Sequence, residues 1–331
     1  MNFTKLKYEE FNNTPETLLN QIKTYGVGVV PKVFTPEQCA IAIELANNYM
    51  ANVFEDDMHN VLIAKETTWK NVSKTMYAKH GGLLQYFGCG QSKFAWYARE
   101  APPVRAIFEK LWNTKDLVVS FDGINVTPPP EVTGIGWQAA GKMWLHTDQS
   151  DKKTGLHSIQ GLANFATVAE GDATLCVIKG SNQLHAAFFA KFGMKAKGDW
   201  QLITDDQLCW FLDQQYDTPE GKKHCEVVAV KANAGDMIFW DSRTIHMGLG
   251  PSSGRVNKQT WRYVAYVAMF PRSKLKPHQL EKRKKYVETC RTTNHWGTKL
   301  FAEKPHTYGN PIHKTRVHKP PVLSESAKKL I

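Results

Sequence analysis

The spacing of apolar and polar positions changes near residue 140, from helical in the first part to strand-like in the second. Residues 15–24 read as a polar helix, and Gly26-Val27-Gly28-Val29-Val30 as a short strand closed by Pro31. Thr35-Pro36-Glu37-Gln38 then opens a helix. Threonine is suited to the N-cap, proline to the first helical position and glutamine to the first turn. This helix is expected to run to about Val53, with Ile41, Ile43, Leu45, Ala46 and Met50 available for a buried face. Residues 55–95 are rich in Gly, Lys and His, and Gly88-Cys89-Gly90 is a loop signal, so they predict an excursion over the core. A further helix is expected from Pro103 to Trp112. A strand follows over Leu117–Phe121, and Pro128-Pro129-Pro130 interrupts the pattern.

From Lys142 the chain reads as β-structure. Lys142–His146, Ile159–Thr167, Ala173–Ile178, Glu226–Val230, Met237–Trp240 and Trp261–Met269 are rich in β-branched or aromatic residues. Turns such as Glu170-Gly171-Asp172, Lys179-Gly180-Ser181-Asn182 and Asn233-Ala234-Gly235-Asp236 separate several of them. Short strands with such turns predict a mainly β chain with flanking helices and a double-sheet jelly-roll core. Residues 184–224 are a partly helical insertion, Lys276–Glu288 a basic helix, and Pro305–Val322 irregular.

A length of 331 residues with 42% apolar content supports a substantial core. No apolar run approaches the roughly 18 residues of a membrane span, and the polar first 25 residues carry no secretory signal. The six cysteines (Cys39, Cys89, Cys176, Cys209, Cys225 and Cys290) have no C-x-x-C spacing, which suggests free thiols in a cytoplasmic protein. The net charge of +11 lies wholly in residues 272–331, with 15 Lys/Arg against 4 Asp/Glu; residues 1–271 balance at 27 of each. The expected organisation is a catalytic domain over 1–271 and a basic C-terminal extension over 272–331, docked on it. A solvated basic surface is the simpler reading of the extension. The alternative is a jelly-roll binding protein whose basic end holds nucleic acid or another polyanion.

Candidate chemistry centres on Trp144-Leu145-His146-Thr147-Asp148. In a strand, residues i and i+2 share a face, so His146 and Asp148 could grip one ion. His246, closing the segment that begins at Gly235-Asp236, is the candidate third ligand. His185 and His157 are weaker competitors, both in polar loops. Two histidines and one carboxylate with other positions open is the ligand set of non-haem Fe(II) oxygenases. A metal-dependent isomerase or hydrolase on the same scaffold is a weaker reading.

Several motifs, taken in order, resemble the phytanoyl-CoA dioxygenase-like family of Fe(II)/2-oxoglutarate-dependent dioxygenases. They are Tyr25–Val30 with Phe34-Thr35-Pro36-Glu37, Trp144–Gln149, Leu175–Asn182, and Gly235-Asp236 through His246-Met247-Gly248. The resemblance covers roughly residues 20–271 and leaves out the basic extension. It implies a double-stranded β-helix (cupin-like) core, with Fe(II) on His146, Asp148 and His246, and 2-oxoglutarate and O2 as co-substrates. A carboxylate at 148, where related halogenases have a small residue, points to hydroxylation with release of succinate and CO2. The family places its 2-oxoglutarate arginine at the position of Arg262, on a strand expected to neighbour that of His246. A guanidinium binds a carboxylate bidentately, and Arg255 is the alternative. Gln149, Asp122, Trp240 and Arg243 are candidate contacts for a small-molecule or modified macromolecular substrate. Trp240 is expected to share a strand face with Ser242, Thr244 and His246. Arg291-Thr292-Thr293-Asn294-His295-Trp296 could cap the pocket, bind a partner or only dock the extension.

Overall fold

The apolar runs of the second half pair into two six-stranded sheets in the computed structural model, which describes residues 6–78, 82–139, 143–195, 198–307, 309–316 and 318–331. The chain begins with β1 (Lys7–Glu10), α1 (Leu18–Tyr25), β2 (Val27–Val30), α2 (Pro36–Met50), α3 (Asn71–Lys74) and β3 (Leu83–Leu84). Then come α4 (Lys93–Glu100), α5 (Pro102–Trp112), β4 (Leu117–Val119), β5 (Ile124–Thr127) and α6 (Pro130–Thr133). The strands β6 (His146–Thr147), β7 (Ile159–Asn164) and β8 (Thr174–Lys179) follow. An excursion holds α7 (His185–Lys191), β9 (Gln201–Leu202), α8 (Asp205–Asp213), β10 (Gln215–Thr218) and β11 (Gly221–His224). The chain returns through β12 (Glu226–Lys231), β13 (Met237–Asp241), β14 (His246–Leu249), β15 (Arg262–Val267) and β16 (Met269–Pro271). Beyond them lie α9 (Pro277–Glu288) and α10 (Glu325–Lys328).

One sheet has the order β1-β12-β8-β14-β6-β9 and the other β2-β13-β7-β15-β5-β3. Every pairing within them is antiparallel except β1 on β12. Their inner faces meet through Val177 and Val228 from the first sheet and Leu162 and Ile238 from the second. This is a jelly roll with flanking helices. The outer face of the second sheet is covered by α1, α2, α4 and α5, in a core that includes Ala42, Phe94, Phe108 and Phe239. Thr35 forms the expected capping box at α2: its hydroxyl accepts from Gln38 N, and Gln38 Oε1 accepts from Thr35 N at 2.8 Å.

Three expectations need correction. Of the segment expected from Lys142 to His146 only His146 is in a strand, which continues to Thr147; Met143–Leu145 lie outside it, although Leu145 O accepts from Ile203 N at 2.9 Å, and Lys142 lies outside the described residues. The segment from Gly235 to His246 is not continuous. It leaves the second sheet at Asp241, turns over residues 242–245 and joins the first sheet at His246. The turn is an Asx type, in which Asp241 Oδ1 accepts from Arg243 N at 2.8 Å and Asp241 O from Thr244 N at 2.9 Å. Consequently β15, which starts at Arg262, lies in the opposite sheet from β14, between β7 and β5. Gly26 closes α1 at φ +81, and a Cβ there would stand 2.5 Å from Thr244 Oγ1, so this turn seats against a position only glycine fits.

The C-terminal 60 residues are woven onto the β-core. Trp296 packs with Val118, Ala268 and Phe270. Thr293 N donates to Phe121 O at 2.8 Å, and Gly90 N donates to Thr292 Oγ1 at 2.9 Å. Arg283 of α9 is fully buried and donates to the carbonyls of Gly297, Val119 and Leu330. Among the described residues no helix is long and apolar enough to cross a membrane.

Candidate active site

His146 and His246 stand opposite each other on adjacent antiparallel strands, β6 and β14. Asp148 follows two residues after His146, and its backbone N donates to Ser242 O at 3.0 Å, in the turn that delivers His246. Thr147 Oγ1 donates to the same carbonyl at 3.1 Å. The two halves of the site are thus joined through the backbone as well as the sheet. His146 Nε2 lies 3.7 Å from Asp148 Oδ1, and His246 Nε2 lies 3.3 Å from Asp148 Oδ2. The three candidate ligand atoms fall within 4.8 Å of one another, and all three residues are buried.

The hydrogen bonds set the tautomers. His146 Nδ1 donates to Trp144 O at 3.1 Å and His246 Nδ1 to Thr244 O at 2.9 Å. Carbonyls only accept, so each Nδ1 carries a proton and each Nε2 is the ring atom turned toward Asp148. Burial, reinforced by the neighbouring His246, holds the His146 imidazole down at about 3, so it is neutral, as a metal ligand must be. Burial alone would raise the Asp148 carboxyl. The His295 imidazole and the hydrogen bond with His246 outweigh it and hold that carboxyl well below the usual carboxylate range. Gln160 Nε2 donates to Asp148 Oδ2 at 2.8 Å and orients it. Trp144 stacks on His146 with centroids 4.9 Å apart and ties itself to β14 through Nε1 to Gly248 O at 3.1 Å. These donors fit a divalent transition metal.

The triad opens on a cavity of about 580 Å³ that Arg262, Asp122 and Trp240 also line. Arg262 reaches it from the opposite sheet. Its Nη1 donates to Ala173 O, whereas its buried Nε has no hydrogen-bond partner among the described residues. Burial lowers the guanidinium from its ordinary value, and the Tyr266 hydroxyl beside it works against that shift. It remains a cation available to an anionic ligand. Arg255 lies elsewhere, paired with both oxygens of Glu131 at 2.7 and 2.8 Å. Trp240 keeps its place near His246, with centroids 5.5 Å apart, although the two residues belong to different sheets.

Two candidate substrate contacts are corrected. Gln149 points away from the cavity. Its Nε2 donates to Lys153 O and Gly155 O, both at 2.8 Å, and its Oε1 accepts from Ser242 Oγ at 2.8 Å. Arg243 is ion-paired with buried Asp241 at 2.6 Å and faces a separate cavity bordered by α7. His185 also belongs to that region, with Nε2 2.7 Å from Gln149 O. Replacing Gln149 with leucine is therefore expected to cost about 2–4 kcal/mol of stability, because two loop carbonyls and a hydroxyl lose their partner. Urea unfolding measures this; an unchanged midpoint would mean that the loop does not depend on the amide.

The C-terminal segment forms one wall of the cavity. Asn294, His295, Trp296, Phe301 and Glu303 all line it, and His295 Nδ1 is 3.9 Å from Asp148 Oδ2. Trp200 and Asp199 come from the excursion between β8 and β12. The polar-aromatic composition of residues 291–296 was the one sequence signal for this wall.

No family model matches the chain. Ava biosynthesis cluster protein O of Aspergillus versicolor is 27% identical over 248 residues, covering 71% of this chain and 73% of the relative. Among solved structures, the hypothetical protein JW0805 of Escherichia coli aligns with a TM-score of 0.57 at 15% identity, covering 98% of this chain and 85% of that one. The non-heme alpha-ketoglutarate-dependent epimerase SnoN from nogalamycin biosynthesis aligns with a TM-score of 0.42 at 14% identity, covering 77% and 82%. The likeness to JW0805 extends the jelly roll and its flanking segments over nearly the whole chain.

Proposed function

We propose that the protein is an Fe(II)- and 2-oxoglutarate-dependent dioxygenase of the phytanoyl-CoA dioxygenase-like kind, hydroxylating a small organic substrate with release of succinate and CO2. The observation that carries this reading is the pair of histidines whose Nε2 atoms face one carboxylate at the floor of a cavity, with each Nδ1 held by a backbone carbonyl. In this reading His146, Asp148 and His246 hold the iron, and Arg262, on the facing sheet, receives the remote carboxylate of 2-oxoglutarate. Iron, 2-oxoglutarate and O2 supply the oxidising power when bound.

The chain supplies the rest. Gln160 fixes the Asp148 carboxylate, and Trp144 holds the His146 ring in plane. The indoles and the C-terminal segment wall the cavity beside the triad. Residues 1–271 then form the catalytic unit, and residues 272–331 complete its cavity. The relative's place in a biosynthesis cluster supports a small-molecule substrate.

Anaerobic titration with Fe(II) and 2-oxoglutarate tests the assignment. A visible metal-to-ligand charge-transfer band is expected in the wild type. In Arg262→Ala it should need about tenfold or more 2-oxoglutarate, since a charge-assisted hydrogen bond contributes about 1.5–3 kcal/mol. Bound iron without a band in the wild type would overturn the cofactor assignment.

A further inference from the structure

Once the triad and Arg262 are given their roles, the remaining ionisable groups of the cavity are the Tyr266 phenol, Asp122, Asp199, Glu303 and His295. Asp199 is paired with Lys153 at 2.5 Å. Asp122 differs. It is 7% exposed, and no lysine or arginine stands within ion-pair distance of its carboxylate among the described residues. Its Oδ1 takes both of its hydrogen bonds, from Gly123 N at 2.6 Å and Gln85 Nε2 at 3.4 Å. Oδ2 takes none among the described residues. The nearby Arg99 guanidinium is directed at main-chain oxygens, donating to Asp122 O at 2.6 Å and to Gly90 O. Burial raises the Asp122 carboxyl, with His295 and Arg99 opposing the shift, so a cation arriving from the cavity would relieve an unfavourable charge.

The surrounding surface suits the same ligand. Trp144, Trp200, Trp240 and Trp296 line the cavity, and indole faces attract cations more strongly than other side-chain rings do. The molecule already contains one such arrangement. The Lys153 ammonium sits 3.9 Å from the centre of the Trp296 ring while paired with Asp199.

The geometry points to an organic cation as the substrate class: a protonated amine whose nitrogen rests on Asp122 and whose apolar body lies among the indoles. This deepens the dioxygenase reading and rests on it for the word substrate. The site itself does not need the metal.

Calorimetry on protein loaded anaerobically with Fe(II) and 2-oxoglutarate tests it with three probes on one phenethyl skeleton: phenethylamine, its isostere 2-phenylethanol, and 3-phenylpropanoate. The amine is expected to bind about tenfold tighter than the alcohol, with the carboxylate weakest. Asp122→Asn, which keeps an acceptor for Gly123 N, should remove that tenfold preference while leaving the alcohol within about twofold. The proposal fails if amine and alcohol bind alike, if the carboxylate binds best, if the amine preference survives in Asp122→Asn, or if the amine shows no heat at about 10 mM. The wild-type panel decides even if the variant does not fold. The charge-transfer band is read in the same cell first. A missing band with the amine order intact therefore overturns the cofactor reading and leaves this one standing.

Discussion

His146→Ala is expected to abolish succinate formation, to below about a thousandth of the wild-type rate, and to weaken metal binding at least a hundredfold or so. The alanine removes one of two imidazoles, and neither His246 nor Gln160 can replace it. His246 already uses Nδ1 on Thr244 O, and Gln160 offers an NH2 group to Asp148, which repels a cation. His295 is the one other imidazole beside Asp148 among the described residues, at 3.9 Å. A double variant with His295→Ala therefore closes the possibility that it substitutes as a ligand. Stability should fall as well, since Trp144 loses its stacking partner, so far-UV circular dichroism must show a folded variant before the rate is interpreted. Undiminished coupled turnover in a folded His146→Ala protein would sink the proposed centre.

Arg283→Ala should cost about 3–5 kcal/mol of stability. This guanidinium is fully buried and, among the described residues, has no carboxylate partner. It lies 4.9 Å from the centre of the Phe121 ring and donates to Gly297 O at 2.7 Å, Leu330 O at 2.8 Å and Val119 O at 2.5 Å. Burial, with Arg272 and Arg99 adding to it, pushes it down to about 9, so it is still a cation at neutral pH. Truncation leaves three carbonyls short of a donor and a cavity the length of the side chain. It also unties α9 from β4 and from residue 330. Arg283→Met keeps most of the volume and none of the donors, so it should still lose about 2 kcal/mol. Denaturation midpoints measure both losses, and limited proteolysis should show residues 294–303 cut sooner. Two variants as stable as the wild type would mean that this anchor does not hold the extension.

Much of the fold could be read along the chain because a strand buried on both faces leaves a run of β-branched residues. Those at β7, β8, β12, β13 and β15 fall within a residue or two of the expected limits on at least one side. The ligand pair was legible for a similar local reason: the spacing of His146 and Asp148 needs only two residues of extended chain. The same parity argument speaks against Gln149, one residue further on and on the other face. What the pattern hides is the change of sheet at residues 242–245. A turn of four residues between two apolar strands looks like one strand, although Asp241-Ser242 carries the Asx-turn chemistry. It follows that the partner of β15 was misplaced, while Arg262 still reaches the cavity from across the sandwich. His295 and its neighbours were hidden more deeply. They sit in irregular chain with no periodicity, and their position depends on long-range contacts such as Arg283 with Val119.

The pairing of His146 with His246 on one rung of the sheet has a thermodynamic side. The two imidazoles are a hundred residues apart in the chain, so an unfolded molecule offers a metal ion separate side chains in place of a chelate. An ion that binds only the folded form shifts the folding equilibrium toward it, by about 2.7 kcal/mol when the free ion is at a hundred times its Kd. If the centre holds iron as proposed, iron supply and the fraction of chain that stays folded would be coupled, and metal starvation would expose the protein to proteolysis.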